Sequence, residues 1–308
     1  IRETATEHGL DAHILYQHKV VSAAWSSADA RWTVNILQGA DAQPIQMHCQ
    51  FLLMCSGYYR YDQGYLPAFE GMADFAGHIV HPQHWTPDVQ WADKRVVLIG
   101  SGATAVTLLP ELAKQATHVT LLQRSPTYVV SLPRVNPVDK ALRRVLPDRV
   151  AGAALRWAHA LGTQGSYQLS RRRPEFMKKV LRRGLERDLP AGFDIDTHFT
   201  PHYDPWDQRL CVVTDGDLFA AITSGRVDVV TDTIDHVDAT GITLTSGAHL
   251  DADIIVTATG LDLIAFGGVD LSVDGEAVQP GERYAYRGYM LNDVPNFAWS
   301  VRGWLLST

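Results

Sequence analysis

Between residues 95 and 123 the polarity of the chain changes period twice. Val96 to Ile99 is an unbroken aliphatic run, as expected of a parallel strand covered on both faces, and it stops at Gly100. From Ala103 the apolar positions recur at helical spacing through Leu108, Leu109 and Leu112, and a second apolar run follows from His118 to Leu122. The pattern predicts strand, tight turn, helix, strand. Upstream, short apolar runs are divided by turn residues: Val20 to Trp25, Trp32 to Ile36, Ile45 to Met47 and Phe51 to Cys55, the last running into Ser56-Gly57-Tyr58. The same succession returns at Val227 to Val230, Ile234 to Val237, Ile242 to Leu244 and Ile254 to Thr257, which runs into Ala258-Thr259-Gly260. Ile1 to Leu10 reads as a helix, and Asp139 to Leu189 as a long, strongly basic helical stretch. Gly192 to Leu210, rich in His, Asp, Pro and aromatics, reads as an irregular segment suited to lining a site.

The repetition predicts an α/β chain of two nested Rossmann-like dinucleotide-binding domains. The first is expected over residues 1–88, ending in a linker, and the second over 89–262 with a helical insertion at about 138–190. Residues 263–308, with Tyr284, Tyr286, Tyr289, Phe297 and Trp299, are expected to return and complete the first. In the second copy the closing Ala-Thr-Gly lies far downstream of a glycine-rich opening at Gly100. The first copy's opening is therefore expected upstream of residue 1, which makes the first domain incomplete and the chain a portion of a longer one.

The opening itself carries chemistry. Gly100 permits a sharp turn, Gly102 lets backbone approach a pyrophosphate without a Cβ in the way, and small Ala105 lets helix and strand pack closely. A pyrophosphate would rest on the backbone of Ser101, Gly102, Ala103 and Thr104, where unpaired N–H groups and the helix dipole favour an anion. A carboxylate about 20 positions later would grip the ribose of NAD; here the residues are Gln123, Arg124 and Ser125, and the arginine points to the 2′-phosphate of NADPH.

Composition narrows the classes. The net charge of -7 argues against a general nucleic-acid binder. No apolar run reaches the roughly 18 to 20 residues needed to span a bilayer, so a cytoplasmic protein is expected. Cys49, Cys55 and Cys211 form neither a C-x-x-C nor a zinc spacing, and Cys55 is expected to be a small buried hydrophobe in its strand. His78, His81 and His84 fall close together but without a Cys or carboxylate cluster, so no metal is expected. Their segment, Phe75 to Pro87, reads as a linker: Pro82 and Pro87 oppose regular structure, and its aromatics are expected at a seam between domains. The basic stretch is read first as a solvated helical face, with a cationic approach to the cofactor or weak attraction to an anionic membrane surface as minority readings.

With these residues in view the chain resembles the class B flavoprotein monooxygenases of the Baeyer–Villiger type, and among them the ethionamide-activating group. Phe75, Gly77, His81 and Trp85 match that family's F-x-G-x-x-x-H-x-x-x-W fingerprint directly before the glycine motif, although Thr86-Pro87 departs from the usual continuation. The likeness runs to about Val301, and Arg302 to Thr308 does not look like its continuation. It implies FAD, NADPH and molecular oxygen as reactants, and an oxygen atom inserted into a small apolar ketone or added to a sulfur. Arg209 falls where the family places its active-site arginine, beside Gln208, where relatives often carry lysine. The remaining FAD contacts implied are the backbone near Val20, the Ser56-Gly57-Tyr58 turn, and Thr259 and Gly260. The alternatives are an N- or S-hydroxylating flavin-containing monooxygenase and an NADPH-binding remnant without catalysis; a dithiol reductase on the same plan lacks its C-x-x-C.

Overall fold

The computed structural model describes residues 1–135, 137–208 and 210–300. The chain forms two compact units: one contains residues 1–63 and the chain from Leu261 onward, the other residues 64–260. In chain order the first unit opens with α1 (Arg2–Glu7), β1 (His18–Ser26), β2 (Arg31–Gln38), β3 (Gln43–Cys49), β4 (Leu52–Met54) and β5 (Tyr59–Gly64). The second contains β6 (His78–Val80), β7 (Arg95–Ile99), α2 (Ala103–Leu112), β8 (His118–Gln123), β9 (Tyr128–Leu132), α3 (Pro137–Val145), α4 (Asp148–Arg172), α5 (Pro174–Asp188) and α6 (Ile195–Phe199). It continues through β10 (Leu210–Thr214), α7 (Asp217–Thr223), β11 (Val227–Thr231), β12 (Ile234–Val237), β13 (Gly241–Leu244), β14 (His249–Asp251) and β15 (Ile254–Thr257). The chain then rejoins the first unit with β16 (Leu261–Leu263), β17 (Asp270–Val273), β18 (Glu276–Ala277), β19 (Ala285–Tyr286), β20 (Met290–Leu291) and β21 (Phe297–Trp299). The whole is a mixed α/β fold.

The second unit is built on a parallel sheet of order β11-β8-β7-β15-β6. Its central strands are the most aliphatic, Val96 to Ile99 in β7 and Ile254 to Val256 in β15, because both faces are covered there, whereas β8 and β11 carry Thr120 and Asp228. Val96, Leu98, Leu121 and Val256 face a core closed by α2 and α7 through Leu109, Leu112 and Phe219. Val97, Ile99, Leu122 and Ile255 face the opposite side, closed by Phe75 and by the antiparallel meander β12-β13-β14 through Val237, Ile242 and Leu244. The predicted meander is present in both units, as β1-β2-β3 and as β12-β13-β14.

In the first unit β1 pairs in parallel with β17, and the sheet runs β18-β17-β1-β2-β3. Its core is aromatic. Trp32 is fully buried and lies 5.6 Å from Trp25 and 6.1 Å from Phe297, while Phe266 meets Phe297 edge-on at 5.3 Å. The Trp32 indole N–H donates to the carbonyls of Pro295 and Asn296. Of the returning aromatics, Phe297 and Trp299 fill this core, whereas Tyr284, Tyr286 and Tyr289 are exposed.

Three expectations give way. The chain leaves the first unit after Gln63, not near residue 88, because β6 is the edge strand of the second unit's sheet and pairs with β15. The supposed linker is thus partly regular, since Pro82 begins only after β6 has ended and opens a short 3₁₀ turn. Cys55 is exposed, not buried, because β4 ends at Met54 and the chain turns there.

Two stability effects follow. Gly162 and Gly165 sit inside α4 with ordinary helical backbone and open space where a Cβ would point. Gly162→Ala and Gly165→Ala should each stabilise by about 0.5–1 kcal/mol, mainly by restricting the unfolded chain, read as a higher thermal or denaturant midpoint. Acid acts in the other direction. Asp253 is held below its ordinary value first by its hydrogen bond from Arg95, Asp238 by the Thr240 hydroxyl and backbone N–H, and Asp274 by Ser27. A depressed carboxyl contributes fully above its unfolded value of 3.8 and loses that contribution as pH falls through its folded value. The urea midpoint should therefore drop between about pH 5 and pH 2; a midpoint constant over that range would refute the coupling.

Candidate functional site

The site begins where β7 ends. Gly100 has φ +132°, its N–H donates to the Leu122 carbonyl at 2.8 Å, and a Cβ on it would collide with the Ala258 carbonyl. Only glycine fits. Gly102 is extended and precedes α2 without a side chain to cap it, so the first-turn N–H groups of that helix are not claimed by a capping side chain. Ala105 is fully buried, which brings α2 down onto the sheet. Ser101 ties this turn to its neighbours: its hydroxyl shares a 2.9 Å hydrogen bond with Thr127 and reaches the Ser125 carbonyl at 3.4 Å, and its own carbonyl accepts from the Cys211 thiol of β10.

The structure thus brings Gly100, Ser101, Gly102, Ala103 and Thr104 together with Ser125. Arg124, next to Ser125, is exposed and makes no ion pair among the described residues. Its neighbour Gln123 turns inward instead, donating to the His198 carbonyl at 2.7 Å and to Thr231 Oγ1 at 2.9 Å. Thr231 Oγ1 also bonds His198 Nδ1 at 2.8 Å, and burial pushes the His198 imidazole below its ordinary pKa, favouring the neutral ring. Only Gln123 of the three is buried, and nothing in the spacing of the sequence marks the trio.

A second cluster holds the end of β15 to the segment after β5. His81 Nδ1 accepts the Gln83 N–H, which leaves its other ring nitrogen, Nε2, to donate to the Gly260 carbonyl at 3.1 Å. A Cβ on Gly64 would fall on the His81 ring. Thr259 donates to the Tyr65 carbonyl at 2.7 Å, and Thr257 to that of Val80 at 3.3 Å. The sequence motifs found His81, Thr259 and Gly260; Gly64 and Tyr65 carry no periodic or spacing signal and were missed.

The rest of the fingerprint is packing. A Cβ on Gly77 would collide with the Asp253 carbonyl and lie 2.7 Å from the Phe75 ring, so backbone and ring both exclude a side chain there. Phe75 is buried under the sheet, and Trp85 packs edge-on against Trp91 at 5.4 Å beside the α2 core. Both aromatics are thus built into the cores of the second unit. His78, His81 and His84 form no metal-binding group with other residues, and none is found among the described residues.

In the first unit Ser56 Oγ is buried without a hydrogen-bond partner among the described residues, beside Gly57 at φ +76°. Gly267, at φ +65°, lies so close that a Cβ would come within 2.7 Å of Ser56 Cβ. A cavity of ≈ 250 Å³ opens here, lined by Gly57, Tyr58, Ile264, Phe266, Leu291 and Trp299. At Val20 the pairing of β1 with β2 shifts register, so Val21 has no ladder partner.

Gln208 is exposed, and Arg209 lies outside the described residues. Just before them Trp206 holds φ +74°, a conformation that costs a bulky side chain about 1–3 kcal/mol, and packs edge-on against Tyr167 of α4 at 6.2 Å. Sequence patterning does not reveal such strain.

Known proteins resemble this chain over most of its length. The family model for Flavin-binding monooxygenase-like proteins matches residues 1–276. The FAD-containing monooxygenase EthA of Mycobacterium tuberculosis is 50% identical over 302 residues, 98% of this chain and 61% of its own length. Among solved structures, an oxidized steroid monooxygenase bound to NADP superposes with a TM-score of 0.72 at 20% identity, covering 97% of this chain and 63% of that one. An open form of cyclohexanone monooxygenase gives 0.73 at 17% identity, covering 96% and 65%. The chain therefore spans about three fifths of the length of the curated relative it matches. Since the family match runs through both units and carries the glycine turn with it, this chain belongs to the flavin-binding monooxygenase-like family.

Proposed function

We propose that the protein is an NADPH- and O₂-dependent flavin monooxygenase that transfers one oxygen atom to a small apolar ketone or to a sulfur. The observation that carries this is the uncapped N-terminus of α2 beside an exposed Arg124 that makes no ion pair among the described residues, at the carboxyl ends of parallel strands. In this reading residues 64–260 are a Rossmann-like NADPH domain with a helical insertion, and the first unit is part of an FAD domain.

The chain's own groups suit these cofactors. The N–H groups of Ala103 and Thr104 would receive the pyrophosphate of NADPH, and Arg124 with Ser125 its 2′-phosphate. Ser56 Oγ, buried and unpartnered, is a hydroxyl whose hydrogen-bonding capacity a flavin nucleotide would use, and Gly57 leaves room for close approach. FAD, when bound, supplies the oxygen-activating chemistry that no side chain can. His81 would hold the Gly260 carbonyl, and with it the end of β15, in place. Arg209 is assigned the charge-stabilising role: a guanidinium that stays protonated and donates to negative charge developing on the substrate oxygen. EthA is named as FAD-containing, and the two solved neighbours as acting on steroid and cyclohexanone, which supports the carbonyl reading over N-hydroxylation.

Arg124→Ala should weaken NADPH by roughly 10- to 100-fold, the worth of a charge-assisted phosphate bond, and leave NADH nearly unchanged. Equilibrium titration of both nucleotides checks it, and equal losses would remove Arg124 from the 2′-phosphate site. Arg209→Ala, in protein supplied with FAD, should lower oxygenated product from a ketone and from a thioether by about 100-fold or more while NADPH affinity holds, and Arg209→Lys should recover little. Product at near parental rate in Arg209→Ala would leave that arginine without a catalytic role.

A further inference from the structure

We propose that the helical insertion, residues 137–188, docks on an anionic lipid surface through the exposed face of α4. The inference rests on surface chemistry and stands apart from the flavin reading. The insertion holds thirteen Lys and Arg against five Asp and Glu, a balance of +8 in a chain whose net charge is -7. Five of those cations are tied to carboxylates: Arg143, Arg171, Lys178, Arg182 and Arg187. The other eight have no carboxylate partner among the described residues.

Apolar surface accompanies the charge. α4 has 25 residues, about 37 Å of helix, yet buries only Ala151, Leu155 and Ser170. Val150, Ala154, Trp157 and Leu161 follow one another at helical spacing on a different face, and Trp157 and Leu161 are 67% and 66% exposed. Arg149 and Arg156, one position before Val150 and Trp157, form a strip along the edge of that face. Their long stems can lie along an apolar surface while the guanidinium groups reach phosphates. α5 repeats the arrangement with Phe176 and Val180, both exposed, beside Lys179 and Arg183.

Other occupants satisfy only half of this. A nucleic acid would take the cations and leave Trp157 and Leu161 in water, while a hydrophobic groove would take the apolar face and leave the unpaired arginines without a partner. A two-fold dimer through this face would set the insertion's positive charge against that of a second copy. Anionic lipid accepts both, with the indole and leucyl side chains in the interface and the cations on headgroup phosphate. The helix would lie on the bilayer: no helix among the described residues is long and apolar enough to cross one.

Co-sedimentation of the purified chain with phosphatidylcholine vesicles, with and without phosphatidylglycerol, tests this. Partition should require the anionic lipid and fall steeply with added salt. Trp157→Asp and Leu161→Asp should each reduce it about tenfold or more, and Arg149→Ser with Arg156→Ser by roughly fivefold per cation. All four side chains are exposed, so the variants should unfold at the parental temperature. The proposal is overturned by equal partition into neutral vesicles, by partition that the Asp substitutions leave unchanged, by no partition at low salt, or by a dimer in solution that Trp157→Asp dissolves.

Discussion

The second unit depends on one close approach. Beyond their last paired residues, Ile99 and Thr257, β7 and β15 run so near each other that the Ala258 carbonyl occupies the space a side chain on residue 100 would need. The turn into α2 is made in that gap, with φ +132° at Gly100 and its N–H on Leu122. A larger residue there would separate the carboxyl ends of the central strands and, with them, the elements hung on those ends. These are α2 through Ser101 and Thr127, and the Thr259-Gly260 segment through His81. The glycine is thus demanded by packing before any ligand is considered. That is why a motif associated with nucleotide phosphate can be read so directly in a bare sequence.

What was legible follows from period and from residues with special backbone. The strand–turn–helix unit was visible because both faces of its sheet are covered, which turns alternation into unbroken aliphatic runs. Phe75 and Gly77 were named from the family fingerprint; the structure adds that a Cβ on Gly77 would collide with the Asp253 carbonyl and meet the phenyl ring at 2.7 Å. Strand β6 was not legible: three residues at a sheet edge, flanked by Gly77 and Pro82, carry too little pattern to outweigh the prolines. The Gln123, His198 and Thr231 network was equally hidden, because its members are polar and distant in sequence, Gln123 and Thr231 meeting through the pairing of β11 with β8 and His198 arriving on α6. Ser56 and Val20 were named from resemblance, and the structure adds physical grounds, an unpartnered hydroxyl and a break in register, that no spacing rule contains.

The insertion's charges divide by task. Arg171 pairs with Asp207, Lys178 with Asp204 and Arg182 with Asp196, so three cations of α4 and α5 fasten the segment between residues 192 and 208, which was expected to be irregular throughout but contains the short helix α6, capped by Asp194. Each pair is surface-exposed and worth little by itself. Together with the edge-on contact of Trp206 and Tyr167, they make the path of that segment follow the helices. The strained backbone at Trp206 sits at the end of this fastening, two residues before Gln208.

The first unit is discontinuous, and this affects the order in which the protein is made. Phe297 pairs with Leu52 and Leu271 with Ala23, across some 245 intervening residues in each case. During synthesis β1, β2 and β4 emerge long before β17 and β21, whereas every strand of the parallel sheet finds its partners within the continuous stretch 64–260. Trp25 and Trp32 must therefore wait with an unfilled aromatic face while the second unit folds. A nascent chain in that state presents hydrophobic surface of the kind chaperones bind, and the interval of greatest aggregation hazard ends only when Phe297 and Trp299 arrive.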